Sequence, residues 1–122
     1  NDINKDKELE KNYEYLNNKS LLKENKNFEA YKNKLRYLIQ KKALENYPRR
    51  ALRKGAEGIV ELVFTLNFNG ELENLYIGKA SDASDSLIES SLKTIKMLSP
   101  FEKNDILKTR REFTIKILYK IN

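Results

Sequence analysis

The chain contains no cysteine and no histidine. The first absence excludes disulfides and thiolate metal sites, and it leaves the redox compartment open. The second removes the commonest general base and the commonest metal ligand. Glycine is limited to four residues and proline to two, and all of them lie after residue 46. No apolar run approaches the roughly 20 residues that a membrane span needs, and no signal-peptide pattern is present. The chain opens on Asn rather than Met; we expect a soluble segment whose membrane anchor, if it has one, lies upstream.

Without His or Cys, a serine nucleophile would need lysine as its base. Ser81, Ser84, Ser86, Ser90 and Ser91 cluster. Ser84 and Ser86 fit the start of a helix, however, and Ser90 and Ser91 fit its surface. Asp82 and Asp85 read as favourable charge at a helix N-terminus, since no glycine-containing calcium loop accompanies them. The stretch "GAEG" at residues 55–58 lacks the Lys and Ser/Thr of a phosphate-binding loop. No catalytic site, metal or cofactor is expected.

What the chain has is charge: 24 basic and 18 acidic residues in 122, a net of +6. A positive balance admits nucleic acid, an anionic membrane or an acidic protein as partner. The balance is even along the chain, at +3 before residue 47 and +3 after it, unlike a nucleic-acid-binding arm. Composition changes near Tyr47, from Lys, Asn and Glu without Pro or Gly to a more varied segment. We place a boundary at residue 46.

Before that boundary, Leu9, Tyr13 and Leu16 recur at helical spacing, and "NNKS" at 17–20 is expected to break the helix. Phe28, Tyr31, Leu35, Leu38 and Ile39 form a second, stronger stripe, suited to packing on the following domain and too short for sustained heptads. "YPRRALRKG" reads as one helical turn, with Pro48 in the first position and Gly55 as the left-handed residue past its end. Val60, Leu62, Phe64, Leu66 and Phe68 alternate with the residues between them, which predicts a strand with one buried face. Asn69-Gly70 predicts a two-residue hairpin turn. Leu72, Leu75 and Ile77 make the return strand, with a bulge near Glu73–Asn74. Ser86 and Glu89 fit a capping box. Ile88, Leu92, Ile95, Met97 and Leu98 give the helix its apolar stripe, and Pro100 ends it. Phe113, Ile115, Ile117, Tyr119 and Ile121 alternate in a third strand.

The expected fold class is therefore α+β: a small three-stranded antiparallel sheet with a helix packed on one face, preceded by an N-terminal helical segment. The four basic side chains Arg49, Arg50, Arg53 and Lys54 project beside Tyr47, where they could meet phosphates with aromatic stacking or simply be solvated. The strand aromatics fall on the core face, which leaves Tyr47, Tyr76 and the N-terminal tyrosines for stacking and weakens the nucleic-acid reading.

In order along the chain stand Tyr47-Pro48, a short basic turn, and then Glu57, Gly58, Val60, Leu62 and Phe64. Asn69-Gly70, an amphipathic helix and a final strand with Ile115, Ile117, Leu118, Tyr119 and Ile121 follow. This series resembles the C-terminal domain of the TonB family over about residues 35–122. The chain has Leu44, Glu45 and Asn46 where members often carry Gln or Pro, and its upstream region is Lys/Asn-rich rather than Pro-rich. TolA-type C-terminal domains, adaptors for cell-envelope integrity, lack the Tyr-Pro and Glu-Gly-x-Val opening.

The resemblance implies a non-enzymatic periplasmic adaptor. Residues 1–46 would be a mostly helical periplasmic spacer and 47–122 the receptor-binding domain. An upstream anchor would join an inner-membrane proton-driven complex of the ExbB–ExbD type. The domain would grip the Ton box of TonB-dependent outer-membrane receptors that import siderophores, haem or similar nutrients. The receptor-binding residues so implied are Tyr47, Pro48, Arg49, Arg50 and Arg53 at the domain's opening. Along the last strand they are Arg111, Phe113, Thr114, Ile115, Lys116, Ile117, Leu118 and Tyr119. Nucleic acid is not an expected partner. That strand is expected to be an open edge, a template for another chain's strand; Lys116 and Lys120 on it also guard against self-association. The protein is expected to be mainly monomeric, with residues 20–46 folding back to limit dimers.

Overall fold

The computed structural model describes residues 2–122, with side chains described from residue 7 onward. In order, the elements are α1 (Asp2–Glu45), α2 (Arg49–Lys54), β1 (Gly58–Leu66), β2 (Leu72–Ile77), α3 (Asp85–Leu98), a 3-10 turn (Asp105–Lys108) and β3 (Glu112–Tyr119). The strands form one antiparallel sheet in the order β2-β1-β3. The α+β class and the N-terminal helix are as the sequence predicts.

The expected break at 17–20 does not occur, because α1 is one continuous helix. Its second half is docked: Phe28, Tyr31, Leu35, Ile39 and Ala43 are buried in the common core. Each large apolar side chain so buried contributes about 2 kcal/mol. From that anchor the helix only has to propagate outward. Asn and Ser then cost roughly 0.5 kcal/mol each relative to Ala, too little to stop it in a stretch without Pro or Gly. The stripe differs by one residue from its expected course, for Leu38 is exposed and Ala43 takes the last buried place. Leu9, Tyr13 and Leu16, in the undocked half, face solvent.

Val60, Leu62, Phe64 and Leu66 of β1 and Phe113, Ile115, Ile117 and Tyr119 of β3 are all buried on one sheet face. Helices α1 and α3 cover that face. Phe28 stacks on Phe113 at 5.3 Å and Phe64 on Phe113 at 5.5 Å. Phe68 and Ile121 belong to the same alternation in sequence but lie beyond the strand ends, exposed. The bulge falls where expected: Thr65 pairs with Asn74 and Leu66 with Leu72, so Glu73 is the extra residue.

The hairpin turn is longer than predicted. Only Gly70 takes a positive φ, +80°, and Asn69 does not. Asn67 N–H bonds the Glu71 carbonyl at 2.9 Å, and Gly70 N–H bonds the Asn67 carbonyl at 3.0 Å. This is a three-residue loop with one left-handed glycine. The Asn67 side chain stabilises it by accepting from Asn69 and Glu71 N–H, each at 2.9 Å.

Two assignments on α3 shift. Ser84, not Ser86, is the N-cap, its hydroxyl accepting from Leu87 N–H at 3.4 Å. The buried face then centres on Leu87, Ser91, Thr94 and Ile95, while Met97 is exposed. Ser91 is thus a core residue rather than a surface one. Its hydroxyl donates to the Leu87 carbonyl at 2.8 Å and meets the Tyr119 hydroxyl at 2.9 Å. The polar stretch before β3 also contributes, since Ile106 and Leu107 are buried on the 3-10 turn.

Candidate functional site

The outer edge of β3 is set by strand parity. In an antiparallel ladder, alternate residues bond the neighbouring strand, and those between them turn their N–H and C=O outward. Leu66 N–H bonds the Arg111 carbonyl at 3.0 Å, and the register is unbroken from Thr65↔Glu112 to Gly58↔Tyr119. Phe113, Ile115, Ile117 and Tyr119 therefore spend both their backbone groups on β1 and their side chains on the core. Glu112, Thr114, Lys116 and Leu118 present backbone groups to the outside, and their side chains are exposed. Of the strand residues the sequence singled out, the structure leaves Thr114, Lys116 and Leu118 accessible. The other four hold the strand.

The edge is not uniform. Helix α1 runs parallel to β3, with Phe28 beside Phe113 and Gln40 beside Leu118. The twelve helical steps between those contacts span about 18 Å and the five strand steps about 17 Å, so helix and strand keep pace. At one end Gln40 closes the edge. Its Nε2 donates to the Leu118 carbonyl at 2.8 Å, and its Oε1 accepts from Leu118 N–H at 2.9 Å. At the other end a hollow of about 650 Å³ reaches Glu112, Phe113 and Thr114. It is lined by Phe28, Lys32 and Arg110 and, across the sheet, by Val63 and Thr65 of β1 and Asn74 and Tyr76 of β2, so it spans the sheet rather than following the outer edge of β3. Arg110 is held there by its guanidinium 3.7 Å from the Phe28 ring centroid and by a 2.8 Å bond to Asn25 Oδ1.

The Tyr47–Gly55 turn meets β3 at its Tyr119 end. Tyr47 packs edge-on against Tyr119 at 5.3 Å, and its hydroxyl donates to the Ala56 carbonyl. Partial burial, then the Glu57 charge, raises its pKa above the ordinary value. Pro48 is the residue before α2 rather than its first residue, with φ −59° and ψ 131°. That extended ψ turns the chain into the helix while its carbonyl accepts from Leu52 N–H at 2.9 Å. Gly55 closes α2 at φ +65° as the sequence predicts. Arg49, Arg50, Arg53 and Lys54 are exposed, and the four ion pairs among the described residues do not involve them. Arg111 stands apart from this group, about 26 Å away along the strand. It lies 4.7 Å over the Phe68 ring and donates to the Leu107 carbonyl at 3.2 Å.

Gln40 and Glu57 carry contacts that sequence reasoning missed. Glu57 accepts from Ile121 N–H at 2.7 Å and ties down the chain beyond β3. Gln40 follows Ile39 on the shoulder of the apolar stripe. A glutamine there gives no periodic signal, because its role depends on what the stripe docks against. Among the described residues no three metal-binding side chains converge, and no helix is long and apolar enough to cross a membrane.

The family model for the Gram-negative bacterial TonB protein C-terminal region matches residues 44–121. Two solution structures of the Helicobacter pylori TonB C-terminal domain are similar to this chain. One, of that protein's residues 194–285, is 30% identical, with a TM-score of 0.54, over 71% of this chain and 89% of that one. The other, of residues 179–285, is 28% identical, with a TM-score of 0.58, over 77% and 91%. No curated protein matches the sequence.

Proposed function

Since this chain belongs to the Gram-negative bacterial TonB C-terminal family, whose role is energy transduction through protein interaction rather than catalysis, we propose that it is the receptor-gripping end of a periplasmic adaptor. It adds the Ton box of an outer-membrane receptor as a fourth strand beside β3. An upstream segment anchors it to a proton-driven inner-membrane complex of the ExbB–ExbD type. The observation that carries the reading is the outward-facing backbone of Glu112, Thr114 and Lys116, set by the register of β3 on β1.

Backbone pairing explains breadth. A strand held through N–H and C=O groups is read mainly by its extended shape, so receptors with different Ton boxes can share one adaptor. Each bond contributes about 1 kcal/mol net. A pull along the strands loads these bonds together instead of one after another, so a modest affinity still transmits force. Tyr47, Pro48, Arg49, Arg50 and Arg53 form a lip at the Tyr119 end, where the arginines meet acidic or polar groups of the receptor. Arg111, at the opposite end, orders the turn that leads into β3. Residues 1–46 serve as the spacer, and their docked part from Phe28 onward keeps the domain monomeric.

Calorimetry with a synthetic Ton-box peptide tests this. The plain peptide should bind, and one N-methylated at alternate amides on the pairing side should not. Equal binding of both peptides would refute strand addition.

A further inference from the structure

Gln40 contacts β3 in the manner of a strand. A neighbouring strand satisfies an outward residue by accepting from its N–H and donating to its C=O, and the Gln40 carboxamide does both to Leu118. It is a primary amide imitating a peptide group. The backbone beneath it is fixed, because Ile39 and Ala43 on either side are fully buried, so α1 cannot leave without opening the core. The side chain can swing, being partly exposed and, among the described residues, hydrogen-bonded only through these two contacts.

Resting on the strand-addition reading, we propose that Gln40 is an internal competitor for the receptor strand. It occupies the Leu118 position of the docking edge and must be displaced before an incoming strand can pair along the whole of Glu112–Leu118. Docking starts at the Glu112–Thr114 end, where, among the described residues, no α1 side chain bonds the outward backbone groups as Gln40 does at Leu118. It proceeds toward Lys116 and stops at Gln40 unless the peptide supplies a better pair of bonds at Leu118. Gln40 thereby sets the register and length of segment that binds well. Short segments are held at Glu112–Lys116 without disturbing the clip, and longer ones gain only the difference between their bonds and those they replace. In the free protein the clip also covers the edge groups nearest the basic lip, a place where a second copy of the chain could otherwise pair.

The test uses the whole chain and the Gln40→Ala variant, with hydrogen exchange and a peptide titration. Alanine is the best helix former, so α1 should persist. In the wild type the Leu118 amide should exchange markedly more slowly than those of Thr114 and Lys116. In the variant this protection should disappear while that of Ile117 and Tyr119 stays. A synthetic Ton-box peptide long enough to reach Leu118 should bind the variant roughly fivefold to tenfold more tightly. A peptide shortened to end at Lys116 should bind both forms alike. Fast Leu118 exchange in the wild type, or unchanged or weaker binding of the long peptide by the variant, overturns the proposal. If the peptide moves no β3 amide in either protein, strand addition fails with it. If β3 amides move equally in both, strand addition stands and the competitor role alone is lost.

Discussion

Proline scanning of β3 separates its two kinds of residue. Lys116 turns its N–H outward and its side chain to solvent, so Lys116→Pro leaves every bond to β1 in place. The fixed proline φ differs from that of an extended strand, and the cost should be about 1–2 kcal/mol. Ile117→Pro is one residue away and far worse. It removes a ladder bond to Val60, about 1 kcal/mol, and leaves a buried carbonyl without a donor, about 1–3 kcal/mol. It also takes a fully buried isoleucine from the core, at 2 kcal/mol or more. The total, about 5 kcal/mol, is comparable with the whole stability of a small domain. Urea unfolding followed by circular dichroism should show a folded Lys116→Pro protein and a largely unfolded Ile117→Pro protein. Calorimetry should show that Lys116→Pro has lost Ton-box binding, whereas Lys116→Gln binds almost normally because backbone groups carry the contact. If Lys116→Pro unfolds as completely as Ile117→Pro, the parity assignment is wrong. If it folds and binds like the wild type, the receptor strand does not use this edge.

Two glycines share a left-handed conformation but differ in surroundings. Gly55→Ala meets nothing within 4 Å and should cost about 1 kcal/mol of backbone strain. Gly70→Ala adds a collision with the Phe101 carbonyl and should be clearly worse in the same unfolding assay. Burial, then the Glu102 charge, pushes the Tyr31 pKa from its ordinary 10.0 to about 12. The folded state therefore holds its proton more tightly than the unfolded state. Stability from this group is complete below pH 10 and declines as pH rises from about 10 to 12, by about 3 kcal/mol. Alkaline unfolding of Tyr31→Phe should lack that component. A protein truncated to begin at Tyr47 loses Phe28, Tyr31, Leu35 and Ile39 from the core and Gln40 from the edge. Sedimentation should show it dimerising more than the full chain, and two monomers at high concentration would count against the covering role of α1.

Strand alternation was legible because one face is buried and the other is not: the period of two in β1 and β3 maps directly onto burial. The hairpin was legible in place but not in length, since Asn69 tolerates either sign of φ and the Asn67 side chain decides the matter. The continuity of α1 was not legible. Local propensity at 17–20 is weak, and the anchoring contacts come from β3, some 80 residues away. Ser91 escaped for a similar reason, as its polarity is neutralised by Tyr119 on a strand that the helix sequence cannot foresee. On the candidate edge, the strand itself could be read from the pattern. Which of its residues face outward required the register with β1, and the half-closure by Gln40 required the path of α1.

Amide-proton shifts on titrating a Ton-box peptide into the isotope-labelled chain test the central claim most directly. The account predicts the largest changes at Glu112, Thr114 and Lys116, with slowed exchange of the Thr114 and Lys116 amides as the fourth strand forms. Changes confined to Arg49–Lys54, with Phe113–Tyr119 unmoved, would contradict it and make the basic turn the docking surface.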